Sequence, residues 1–191
     1  MDIFKEINWV DIFFVIILLR ICYISIKNGM PIEFFKLLGA VAAAYLSLHY
    51  YTSLAFFLRD RFIKNSPLEL LNFASFIILA FAGYLALFLL RQIFFRLIKV
   101  EPVPGLNKWA GIIFGLSRGL LFLSLIVFVF ALSPLGYMKK SVAASYSGKS
   151  IFKIAPRAYE VIWNGIFSKF ATSEKFNSSV MDLQNLDTPE K

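Results

Sequence analysis

Between Trp109 and Leu132 the chain is apolar almost without a break, and the one charge inside that stretch is Arg118. A run of about 20 apolar residues matches the hydrocarbon thickness of a bilayer. Lipid offers no hydrogen bonds to the backbone, so a single run of this kind must be an α-helix, which pairs its own N–H and C=O groups. Gly111, Gly115 and Gly119 recur at four-residue spacing within it. Each step advances the helix by about 40°, so the glycines form a smooth stripe on one face. Arg118 projects about 20° from Gly111 and borders that stripe. A charge at bilayer depth costs at least about 2.5 kcal/mol, so Arg118 requires a partner.

Three more runs have the same character. The pattern predicts spans over about residues 9–26, 32–58 and 69–91, beside the one over 109–132. The chain is 59% hydrophobic, against about 45–50% for a soluble domain, and the apolar residues come as runs and not as periodic stripes. The expected fold class is therefore all-α: a polytopic membrane protein with four transmembrane helices and an amphipathic interfacial helix near the C-terminus. The net charge of +8 raises the question of nucleic acid. The basic residues instead sit at the ends of apolar runs, beside lipid headgroups, and no nucleic-acid module is recognisable. Cys22 is a lone cysteine inside a span, and with the single His49 it is too little for a metal site. No metal or cofactor is expected. His49 reads as an interfacial polar residue more readily than as a proton carrier.

The polar residues divide the chain further. No small-residue cleavage site follows the first run, so an uncleaved anchor is expected. Asp11 and Arg20 interrupt this span nine residues apart, on opposite faces, and cannot pair with each other. Asn28-Gly29-Met30-Pro31 makes a turn, after which Glu33 and Lys36 stand three apart, able to pair along one helix. Gly39, Ala40, Ala43, Ala44 and Ser47 form a small-residue stripe suited to close helix contact. Ser66-Pro67-Leu68-Glu69 is a helix start signal, and Pro102, Pro104 and Gly105 a hinge. Residues 134–170 read as a linker followed by an amphipathic segment, with Arg157, Glu160, Asn164 and Ser168 on the polar face. That segment either lies flat in the membrane interface or packs on the loops of the bundle. Residues 171–191 are polar and acidic and read as a disordered tail. Basic residues are nearly balanced between the two ends of the spans, which leaves the orientation of the termini open.

Three blocks of the chain resemble the colicin V production protein family (CvpA). Asn8-Trp9-Val10-Asp11 is similar to the family's aspartate at the head of the first span. Lys27 to Glu33 is similar to its basic-glycine turn with a glutamate four residues after Gly29. Gly105 to Gly119 is similar to its Gly-x-x-x-Gly-x-x-Arg-Gly signature, here ending Gly111, Gly115, Arg118 and Gly119. Asn28 stands where the family usually has arginine, and Asn107-Lys108 where it has an acidic-basic pair. The resemblance implies a bacterial inner-membrane protein required for producing or secreting the toxin colicin V and associated with envelope homeostasis.

Two function classes follow. In the first, a non-enzymatic membrane protein acts through helix packing and contacts with other membrane proteins or copies of itself. Arg118 then pairs with Asp11 or Glu33, and the glycine stripe seats the fourth span against the first or second. The second is a small oligomeric transporter or channel using Arg118 and its acidic partner, with the glycines as a self-association surface. An enzyme is not expected: no nucleophile–base pair, phosphate loop or metal cluster can be assembled, and Ser147-Gly148-Lys149-Ser150 lacks the rest of a phosphate-loop motif.

Overall fold

The computed structural model describes residues 8–97, 104–170 and 174–186. Long helices occupy α1 (Trp9–Asn28), α2 (Met30–Arg61), α3 (Leu68–Leu97) and α4 (Pro104–Leu132). All four are long and apolar enough to cross a membrane. The chain is an all-α, multi-pass membrane protein. The α2 and α3 helices continue beyond the expected spans into their charged ends, because backbone pairing continues where apolar character stops. Pro104 and Gly105 begin α4, while the third hinge residue, Pro102, lies outside the described residues.

Local chemistry fixes the helix ends. Asn8 caps α1, and the Asp11 side chain returns to the Asn8 backbone, which completes a capping box. Gly29 closes α1 with φ +76°, a conformation that other residues resist, and its N–H reaches the Ser25 carbonyl at 3.2 Å. Pro31 then lies in the first turn of α2, where its missing N–H costs nothing.

Packing places the helices in the order α3, α2, α4, α1, with α2 and α4 in the middle. The small stripe on α2 meets α3: a Cβ on Gly83 would stand 2.9 Å from the Ala43 Cα. Ala40, Ala43, Ala44 and Ser47 are buried. Tyr51, Phe76, Phe128 and Phe152 form an aromatic core joining α2, α3, α4 and the following segment. Outward residues such as Leu19, Phe81, Leu89 and Ile113 remain exposed, as lipid-facing positions must.

The C-terminal part departs from expectation. The segment read as a linker forms α5 (Gly136–Ala144) and α6 (Tyr146–Phe152). The amphipathic segment is α7 (Ile154–Ile162), which continues through a π-helical turn at Trp163–Phe167 into α8 (Ser168–Phe170). Its buried side, Ala155, Tyr159 and Trp163, packs on the bundle, while Arg157, Glu160, Asn164 and Ser168 are exposed. Ile166 and Phe170 also remain uncovered. The expectation of a disordered tail over 171–191 is corrected for residues 174–186. They fold back on the bundle and end in α9 (Ser179–Leu186), with Val180 wholly buried. Residues 171–173 and 187–191 lie outside the described residues.

Candidate functional site

The glycine stripe of α4 is covered by the end of α1 and the Gly29 turn. A Cβ on Gly111 would come within 3.0 Å of the Gly29 carbonyl carbon. One on Gly115 would overlap the Ser25 hydroxyl, and one on Gly119 would press on Leu18 and Ile21 at 3.2 Å. Asn107 adds a polar clamp, its Oδ1 accepting from the Met30 N–H at 2.6 Å. Side chains any larger than hydrogen at these positions would hold α1 and α4 apart.

This close approach places Arg118 beside Glu33. The Glu33 carboxylate is fully buried, and every donor it receives comes from a named side chain. Its Oε1 accepts from Asn28 Nδ2 at 2.7 Å and Lys36 Nζ at 2.8 Å. Its Oε2 accepts from Arg118 Nε at 3.1 Å and stands 3.0 Å from Nη2 as an ion pair. The Arg118 side chain is 14% exposed, so it is shielded from lipid and not bathed in it. Glu33 also lies in the first turn of α2, where the helix dipole favours an anion. The geometry is that of a closed ion-pair network: two cations and an amide share one carboxylate.

Asp11, the other candidate partner of Arg118, is used elsewhere. Its Oδ1 accepts from Ser145 Oγ at 2.8 Å and from the Ser147 N–H at 2.9 Å. It ties the start of α1 to the start of α6 and has no contact with Arg118. Ser25, Asn28 and Asn107 belong to the site although sequence pattern alone does not single them out. Asn28 carried a signal, since it stands directly in the turn and five residues before Glu33.

A second polar cluster joins the C-terminal segment to α2. His49 is buried, and its Nδ1 lies 2.8 Å from Tyr159 Oη while its Nε2 lies 3.1 Å from Glu174 Oε2. Tyr50 donates to the other Glu174 oxygen at 2.7 Å. Tyr159 Oη also accepts from the Asn177 N–H at 3.0 Å. Burial pushes the Tyr159 phenol above its usual range, against the pull of that Asn177 bond. His49 is therefore a buried, fully bonded joint between helices, stacked on Trp163.

No curated protein and no solved structure gives a significant match to the chain. A family model described as colicin V production protein matches residues 10–156, a stretch that contains Asp11, Gly29, Glu33, the glycine stripe and Arg118. Covering well over half of the sequence, this match establishes that the chain belongs to the colicin V production protein family.

Proposed function

We propose that the protein is a non-enzymatic component of the bacterial inner membrane, supporting colicin V production or secretion and envelope homeostasis through contacts of its membrane-embedded helices. The observation that carries this reading is the closed Glu33 network within a member of the colicin V production protein family. A carboxylate whose two oxygens are already filled by Asn28, Lys36 and Arg118 braces a surface well and offers little to a passing solute. The partners are the lipid bilayer and other membrane proteins.

The alternative, a small oligomeric transporter or channel, draws on the same charges at bilayer depth. It loses one support, because Gly111, Gly115 and Gly119 are occupied by residues of the same chain. Comparing Arg118→Ala and Arg118→Lys for protein abundance and toxin production tests the first reading. Loss of production at full abundance supports it, and normal production with Arg118→Ala overturns it. Solute flux through reconstituted vesicles that disappears with Arg118→Ala favours the transporter.

A further inference from the structure

We propose that the end of the bundle between α2 and α3 binds the phosphate of an anionic phospholipid headgroup. A cavity of about 620 Å³ opens there. Lys36, Arg91 and Arg96 line it, together with the amide side chains of Asn28 and Gln92. Among the described residues no carboxylate lies within ion-pair distance of Arg91 or Arg96. Arg91 is stacked over the Phe88 ring, 5.0 Å from its centroid, which orients the guanidinium and limits its freedom before a ligand arrives. Such a set of donors suits a phosphate monoanion or dianion: arginine supplies paired N–H groups and lysine a point charge.

The cavity wall selects a lipid over free phosphate. Phe95 and Ile32 give it apolar sides. Further along α3, toward the middle of the span, Phe81 and Leu85 lie on the same helical face as Phe95 and Gln92 and are exposed. A phosphate seated between the arginines therefore has an apolar track beside it on which acyl chains can lie. Basic pockets between transmembrane helices at the level of the headgroups bind anionic lipids in this way. Lys36 connects this cavity to the buried network, because its Nζ is held by Glu33 at 2.8 Å. A phosphate in the cavity competes with Glu33 for that ammonium.

The test uses the full chain in neutral detergent, titrated with phosphatidylglycerol or phosphatidylcholine and read by native mass spectrometry. Phosphatidylglycerol is expected to be retained preferentially. The double variant Arg91→Gln/Arg96→Gln is expected to weaken that retention about five-fold for each arginine removed. Arg61→Gln/Lys64→Gln, at the opposite end of the bundle, is expected to leave it unchanged, and circular dichroism checks that both variants stay helical. Equal retention of the two lipids overturns the proposal, as does equal loss in both double variants. Should inorganic phosphate displace the lipid at equal concentration, the site is one for free anions and the lipid assignment fails. Because the readout is binding alone, failure here leaves the proposed role in toxin production untouched.

Discussion

Removing one side of the Glu33–Arg118 pair leaves a defect that the structure locates to a single oxygen. Glu33 Oε1 keeps Asn28 and Lys36 whatever happens at Arg118, whereas Oε2 has both of its contacts, at 3.1 and 3.0 Å, from that one guanidinium. Arg118→Met preserves the length of the side chain and removes the donors. The fully buried carboxylate then holds a charge with one oxygen unpaired, which costs about 3–5 kcal/mol for a buried pair. Glu33→Gln removes the charge opposite the arginine instead, with a smaller penalty, because the glutamine carbonyl can still accept from the guanidinium. The double variant carries neither charge and is expected to recover at least about 2 kcal/mol of the summed losses, the coupling energy of a double-mutant cycle between touching groups. Lys36→Met is the internal control. Its side chain is 17% exposed, and Oε1 keeps the Asn28 amide without it, so a smaller loss of about 1–3 kcal/mol is expected. Unfolding of each full-length variant in detergent micelles, followed by circular dichroism, measures all four values. Single losses below about 1 kcal/mol that simply add in the double variant would refute the reasoning.

The remaining predictions follow the same contacts. Gly115→Ala is expected to cost about 1–3 kcal/mol by overpacking against Ser25, and Ser25→Gly in that background to restore most of it, both read by unfolding in micelles. Asp11→Ala removes the acceptor for Ser145, the Ser147 N–H and the Asn8 N–H, so a loss of about 0.5–2 kcal/mol is expected, with faster hydrogen exchange in α6 and in the first turn of α1. Asn177→Ala removes the hydrogen bond that its side-chain amide donates to the Leu48 carbonyl at 2.8 Å, and limited proteolysis is expected to cleave within residues 174–186 far sooner than in the parent chain. Ser124→Ala frees the Ala155 N–H, bonded at 2.8 Å, at a cost of about 1–3 kcal/mol, with faster exchange where α6 meets α7.

The four spans were legible because lipid imposes a simple rule on length and polarity, and residue counts satisfy it without knowledge of packing. Arg118 and its glycine neighbours were legible for a related reason, since helical projection alone places them on one face. The choice between Asp11 and Glu33 was not legible. Both acids lie near the start of a helix, but α1 runs against α4 and α2 runs with it, so only the register of three helices decides which acid arrives at Arg118. The register puts Ser25 opposite Gly115, and Glu33 beside both. Helices α5 and α6 were missed because polar segments this short take their structure from tertiary anchors. Their anchors are the Ser145 cap, Asp11 at one end and Ser124 at the other. The folded segment 174–186 was missed for the same reason: a composition that predicts disorder says nothing of Asn177 reaching the carbonyl of Leu48.

These anchors together explain why Arg118 alone is a poor probe of function. Asp11 and Glu33 hold opposite ends of the same bundle, the first to α6 and the second to α4. Loss of either therefore loosens helix packing before it touches any partner, and a phenotype from Arg118→Ala is informative only beside a measured abundance. Lys36 separates the two effects. It is a donor to the buried carboxylate and a wall of the basic cavity at once. Lys36→Gln keeps a donor within reach of Glu33 while removing a charge from the cavity. A variant that keeps its stability and loses anionic lipid places the cavity outside the architecture of the fold. One that loses stability first places Lys36 with Arg118, as part of the brace.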